Sequence, residues 1–365
     1  MKTRPSLHRR GSAPRSSSRR AAAARKRAKS TQAPTPERIF QFAWGYAPLL
    51  ILEAAVNLQV FDLLEHAPKT AERLAKDTGA SIRGLRALLD ALVGLQFLKR
   101  KGPRYALTPE SDTFLVSRKP LFHGGFFHHM VRQVMPNWMS LTETVRSGLP
   151  VTPVNAQAQG ADFFAEFVEG IFPMSYRAAK ALGEHLRFSE LNSPASVLDI
   201  GAGSGVWGIA LAQQSPHVTI LAVDWPKVLQ VTQRIAHRLG FHDRLKTSAG
   251  DLLEADFGRG HHLATIGHIL HSEGQKRSRR LLRKVFDALA PGGTVAISEF
   301  MPHNDRTGPA NALIFAVNML VHTTEGDTFT FKEMSGWLRE AGFRNPRLLE
   351  APAPSPLVLA TKPSR

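Results

Sequence analysis

Gly201, Gly203 and Gly205 stand at alternate positions directly after the apolar run Val197-Leu198-Asp199-Ile200, and from Val206 apolar residues recur at helical spacing as far as Ala212. Glycine lacks a Cβ, so a strand-to-helix junction built of three glycines can adopt backbone angles closed to other residues. Such a junction also lets a ligand lie against the main chain, facing the unpaired N–H groups of the helix start. A nucleotide-like ligand is expected here. Its identity stays open at this point, because Gly203-x-Gly205-x-x-Gly208 followed by Asp224 also satisfies the dinucleotide fingerprint.

A second group of reactive side chains lies downstream. His261, His262, His268 and His271 crowd around the apolar run Leu263–Leu270. The crowding suggests a metal site. On a strand, however, His268 and His271 are an odd step apart and face opposite sides, and no carboxylate stands at ligand spacing. No metal is expected. His271 follows the fourth expected strand and Glu299 ends the fifth, so both fall at carboxyl ends of strands, where open α/β sheets bind ligands.

The elements that must position these residues alternate as in an α/β domain. Strands are expected over 197–200, 218–223, 245–247, 263–270, 294–298 and 357–361, with helices over 206–212, 228–239, 280–289 and 331–341. Upstream, helices over 49–64, 70–79 and 81–94 precede a hairpin of 97–98 with 105–107, which makes a winged helix. Such a module binds DNA or dimerises. Its second helix offers few Asn, Gln or Ser side chains to read base edges, so dimerisation is expected, with Arg83, Arg86 and Lys99–Lys101 as a solvated face. Between the two, residues 120–188 read as helical and rich in Phe, Met and Trp. Most of these pack a core, and some should line an acceptor pocket.

Composition narrows the class further. The 365 residues are 43% hydrophobic and contain no cysteine, which excludes disulfides and thiolate chemistry. No run of about 18 uncharged apolar residues is present, so no transmembrane helix is expected. No apolar segment follows the first arginines, so no secretory signal is expected and a cytoplasmic location is the expectation. Of the formal net charge of +17, residues 1–36 carry +11 with no Asp or Glu, which leaves the remainder only mildly basic. That stretch lacks the apolar residues needed to fold and reads as a disordered tail.

The strand ending in Asp199-Ile-Gly-Ala-Gly-Ser-Gly205 resembles the first motif of class I S-adenosylmethionine (SAM) methyltransferases. With Tyr105-Ala-Leu-Thr-Pro109, Asp224-Trp-Pro226, Gly250-Asp251, His268-Ile-Leu-His271, Pro291-Gly-Gly293 and Glu299 in the same order, residues 36–362 resemble the SAM-dependent O-methyltransferases of the caffeate, hydroxyindole and hydroxyneurosporene type. The resemblance implies a class I methyltransferase, Rossmann-like α/β sheet behind an N-terminal α-helical winged-helix dimerisation domain. The implied divisions are a tail (1–36), a winged helix (37–118), a helical linker and substrate lid (119–188) and a SAM-binding domain (189–365). A homodimer acting on a small apolar or aromatic hydroxyl compound follows, with no specific nucleic-acid partner.

Each part of SAM then has an expected contact. Gly201, Gly203 and Gly205 admit it, Asp199 orders the turn and helps hold the ammonium, and Asp224 accepts the ribose hydroxyls. Gly250 precedes Asp251, which accepts from the adenine amine, while Leu252 and Trp225 pack on the ring. Ser175 matches a family serine beside the methionine carboxylate. His271 matches the general base and Glu299 the residue that orients it. Two departures stand out: Ser272 replaces the family's acidic residue after the histidine, and Thr328 replaces its second glutamate, with Glu325 nearby. N- or C-methylation, non-catalytic SAM binding and a DNA-binding regulator are the alternatives.

Overall fold

The computed structural model describes Met1, residues 34–154 and residues 157–364. The expected basic tail therefore lies almost wholly outside the described residues. The chain divides at Ala47 into two units. In the first, α1 (Glu37–Phe40) and the turns after it carry Ile39, Phe40, Phe42, Trp44 and Tyr46, all exposed.

In the second unit, the single helix expected over 49–64 is broken. After α2 (Ala47–Asn57), Gln59 takes a left-handed φ of 54° and its N–H closes a tight turn on the Val56 carbonyl, before α3 (Val60–Leu64). The change of direction buries Val60, Phe61 and Leu64 with Leu52 and Ala55, which one straight amphipathic helix could not do. The winged helix follows as expected. Thr70 caps α4 (Ala71–Thr78), Ser81 caps α5 (Ile82–Gly94), and Leu85, Leu89 and Leu92 form the buried stripe of α5. The wing pairs β2 (Leu98–Lys101) with β3 (Arg104–Leu107), and the two-residue β1 (Lys69–Thr70) adds a third strand. Arg86 and Arg100, cations that would meet DNA phosphates, face Glu72 and Asp90 of the same module.

A helical layer comes next: α6 (Pro109–Phe114), α7 (Gly124–His129), α8 (Met135–Trp138), α9 (Leu141–Ser147), α10 (Gln157–Phe167) and α11 (Phe172–His185). It leads into a seven-stranded sheet of β4 (Ala195–Ile200), β5 (Val218–Asp224), β6 (Leu245–Ala249), β7 (His261–Gly267), β8 (Leu289–Ser298), β9 (Arg344–Leu349) and β10 (Leu357–Thr361). The strand order is β6-β5-β4-β7-β8-β10-β9, parallel from β6 to β8, with β10 antiparallel to both neighbours. Successive residues of β4 point into different buried clusters, Val197 into one and Leu198 into the other, so both faces of the sheet are covered. The covering helices include α12 (Val206–Ala212), α13 (Pro226–Arg238), α14 (Leu270–Ala288), α15 (Ala310–His322) and α16 (Phe331–Ala341). Among the described residues no helix is long and apolar enough to cross a membrane.

Register decides what meets at the carboxyl edge. Ile200 lies opposite both Val223 and Ile266, and Gly267 lies opposite Ser298. The residues just past these positions, Gly201, Asp224, His268 and Glu299, therefore leave neighbouring strands side by side. The fourth strand ends three residues before its expected end at Leu270. His268 takes φ 62° and α14 begins at Leu270, so His271 sits on the first turn of a helix.

Candidate active site

All three glycines of the β4–α12 junction have positive φ, at 60°, 55° and 75° for Gly201, Gly203 and Gly205. A Cβ on Gly201 would lie 2.2 Å from the Ile269 side chain, so the turn is closed to larger residues for packing as well as backbone reasons. Asp199 stabilises it from beneath. One carboxylate oxygen accepts from the Gly208 N–H at 3.0 Å and the other from the Thr265 hydroxyl at 2.8 Å. Burial pushes the Asp199 carboxyl up to about 7, even though both hydrogen bonds favour its charged form.

That value carries a sign for stability. A carboxyl near 3.9 in the unfolded chain and near 7 in the native one binds its proton more tightly when folded. The stabilisation is complete at low pH and is lost as pH rises through about 7. An asparagine can still accept from Gly208 and donate to Thr265 without ever ionising. Asp199→Asn should therefore gain melting temperature relative to wild type between pH 5 and pH 8. An equal difference at both pH values, read by calorimetry, would contradict the buried-carboxyl account.

Asp224 closes the next strand. Its two oxygens accept from the Gly203 N–H at 2.9 Å and the Trp225 N–H at 2.7 Å, so it is tied to the glycine turn, and burial pushes its carboxyl up to about 6. Trp225 packs toward the helical layer, with its ring centroid 5.9 Å from that of Phe164. A Cβ on Gly160 would lie 2.5 Å from the Trp225 ring. Gly250 donates to the Asp224 carbonyl at 3.0 Å, which brings Asp251 and the buried Leu252 beside the β5 end. Asp251 accepts from the Leu253 N–H at 2.9 Å and from Arg277 at 2.7 Å. Ser175 lies on α11, which packs against α12, and its hydroxyl makes no hydrogen bond among the described residues.

His271 and Glu299 meet directly. The His271 Nδ1 and a Glu299 carboxylate oxygen are 2.6 Å apart, and the other oxygen accepts the His271 backbone N–H at 3.3 Å. Both side chains are buried. For Glu299, burial raises the carboxyl, but the His271 charge and hydrogen bonds outweigh this and hold it below the usual range. The Phe315 and His271 rings meet edge to face with centroids 4.9 Å apart, and Phe300 stacks on Phe315 at 4.0 Å.

His268 and His271 do not face opposite sides of a strand as expected, because the strand ends at Gly267, before both. Their rings lie 6.3 Å apart, and donor atoms of His268, His271 and Glu299 all fall within 4.8 Å of one another. Glu299 already serves His271, and His268 Nε2 faces the Ser298 hydroxyl at 3.3 Å, so these groups are engaged with protein partners. Burial pushes His268 down to about 4, and its Nδ1 has no hydrogen-bond partner. A cavity of about 500 Å³ between α14 and α16, lined by Arg280, Arg283 and Trp337 among others, contains none of these residues.

Residues 138–344 match the model of the O-methyltransferase domain, and residues 40–117 that of the O-methyltransferase dimerisation domain. The chain belongs to the SAM-dependent O-methyltransferases. It is 31% identical to the 3-hydroxy-5-methyl-1-naphthoate 3-O-methyltransferase of Streptomyces sahachiroi, over 87% of this chain and 92% of that one. The structure of a putative O-methyltransferase from Nostoc punctiforme shares 29% identity with a TM-score of 0.80, covering 91% of this chain and all of that one. Human N-acetylserotonin methyltransferase in complex with SAM has the same fold, at 24% identity and a TM-score of 0.79 over 92% and 99% of the two chains.

In this methyltransferase Thr328 is the residue expected at the place of a second family glutamate. Thr328 is fully buried and its hydroxyl has no partner, while Glu325 is exposed and its backbone carbonyl approaches Gly274. From this segment the Asp327 N–H donates to the His271 backbone carbonyl at 2.9 Å. Glu273, in contrast, is a buried carboxylate two residues from His271, bound to Arg277 at 2.6 Å. Sequence reasoning missed Thr265, Glu273 and Arg277. A signal for the last two was present, since Glu273 and Arg277 stand at i and i+4 on one helix.

Proposed function

We propose that this methyltransferase O-methylates a hydroxyl on a planar aromatic acceptor, with His271 as general base and Glu299 as its orienting partner. The observation that carries this reading is the 2.6 Å pair between His271 Nδ1 and Glu299. A carboxylate only accepts, so the Nδ1 position carries the proton and Nε2 keeps the lone pair that an acceptor hydroxyl needs. Bound SAM supplies an electrophilic methyl group on a sulfonium. The chain's own residues do the rest: the glycine turn admits the ligand's backbone, Asp224 accepts from the ribose diol, and Asp251 accepts from the adenine amine. The cradle fits such a ligand, since each Asp224 oxygen spends one lone pair on a backbone N–H and keeps another for a hydroxyl.

An aromatic acceptor is supported by the rings beside the base. Phe315 packs against His271 and Phe300 stacks on Phe315, and the helical layer contributes Phe163, Phe167 and His129, the last stacked on Phe167 at 3.8 Å. The dimerisation domain supports a homodimer, for which the exposed row Ile39–Tyr46 is the surface we assign to contact between copies. Incubating the full chain with SAM and hydroxylated bicyclic aromatics, alongside matched amines, tests the reaction. Formation of S-adenosylhomocysteine with the hydroxyl compounds and not with the amines is expected. Equal turnover on the amines would overturn the hydroxyl reading.

A further inference from the structure

Arg277 joins two carboxylates that come from different parts of the fold. Its Nε donates to Glu273 at 2.6 Å and its Nη2 to Asp251 at 2.7 Å. Glu273 is buried on the first turns of α14, two residues after His271, and Asp251 follows β6. The helix between Glu273 and Arg277 is interrupted at Gly274, with φ 69° and ψ 170°, so the ion pair spans a kink.

We propose that Arg277 is a positioning residue for the methyl-transfer site, fixing the Asp251 carboxylate for the adenine end of the cofactor and tying it to the turn that carries His271. This rests on the reading of Asp251 as the adenine acceptor. The geometry suits arginine in particular, because a planar guanidinium directs two N–H groups at two separate carboxylates, where a lysine offers one point charge. Without the cation, the buried Glu273 and the partly exposed Asp251 would repel each other. The charged groups facing Glu273 are Arg277, Asp251 and His271, and Lys284 also lies near Asp251 while bonding the carbonyls of Leu252 and Ala255. Burial already raises the Glu273 carboxyl, with Asp251 adding to the effect and Arg277 opposing it. Removing Arg277 therefore pushes Glu273 further toward the protonated form.

Calorimetric titration of the full chain with S-adenosylhomocysteine at about pH 6 and pH 8 tests this. Arg277→Ala should weaken binding about 10- to 100-fold at pH 8, the range of a charge-assisted hydrogen bond. The loss relative to wild type should be smaller at pH 6 than at pH 8, because lower pH favours the protonated form of Glu273 that burial and Asp251 already promote, and this weakens the repulsion. Adding Glu273→Gln to Arg277→Ala should recover part of the affinity at pH 8 and make the loss relative to wild type equal at the two pH values, and Arg277→Lys should fall between wild type and alanine. If the single alanine variant does not fold, the double variant carries the test, because it leaves no unpaired buried charge at position 273. It should bind more weakly than wild type, by the same factor at both pH values. Wild-type affinity in Arg277→Ala or in the double variant would overturn the proposal, as would a loss in Arg277→Ala that neither pH nor Glu273→Gln relieves. Asp251→Ala read in parallel separates the two ideas. If it binds like wild type, the adenine reading itself fails; if it weakens binding while Arg277→Ala does not, only the positioning role fails.

Discussion

Replacing His271 with alanine is expected to lower turnover about 10²- to 10⁴-fold while SAM still binds, the usual contribution of general-base catalysis. The magnitude follows from how completely the site commits this imidazole. Its Nδ1 is held at 2.6 Å by a carboxylate that is itself buried, its backbone N–H is held by the same carboxylate, and Phe315 limits the ring on one side. One nitrogen is left for an acceptor proton. The cofactor contacts proposed above come from other strand ends, so SAM affinity should survive the substitution. Glu299→Gln should lose less. It keeps an acceptor for Nδ1 but removes the charge that stabilises the imidazolium formed when the hydroxyl proton arrives. Single-turnover transfer at saturating SAM, with binding measured separately, makes the comparison. Near wild-type transfer by His271→Ala in a chemistry-limited assay would remove His271 from the mechanism.

How much of this site was legible in the sequence depended on whether local pattern or tertiary contact set each feature. The glycine junction and Asp199 could be read because the apolar strand, the glycines and the apolar helix are contiguous, and the junction appears where expected between β4 and α12. The winged helix was legible for the same reason. The end of β7 was not: Ile269 and Leu270 continue the apolar run, yet Ile269 packs over Gly201 and Leu270 opens α14. The left-handed turn at His268 has no glycine to announce it. That one misplacement set the two histidines on opposite faces, whereas the turn brings them together. The break at Gln59 was hidden likewise, since both arms are apolar. Strand β9 escaped because an exposed edge strand of sequence Arg-Asn-Pro-Arg-Leu-Leu has no alternation to read. Arg277 escaped because one of its two partners, Asp251, lies far away in the chain and only the sheet brings it near.

The carboxyls of Asp224 and Asp199 should make cofactor binding depend on pH. Asp224→Ala should weaken SAM binding by about 1–3 kcal/mol, the cost of leaving the ribose diol unpaired, and should also loosen the glycine turn by removing the acceptor for the Gly203 N–H. In the wild-type protein the Asp224 carboxyl stands at about 6 and that of Asp199 at about 7, both raised by burial. A ligand that brings hydroxyl donors and positive charge favours the ionised carboxylate, so binding must release whatever proton the free site holds. The sign is then fixed. Affinity should rise as pH increases from 5 toward 7, by up to about tenfold per pH unit below the Asp224 value for each group that must ionise. The dependence should flatten once both carboxyls are charged in the free protein. Calorimetry at about pH 6.5 in buffers of different ionisation enthalpy should register net proton release on SAM binding, and Asp224→Ala should reduce it. A SAM affinity constant from pH 5 to pH 8, with no buffer dependence of the heat, would mean that neither carboxylate meets the cofactor.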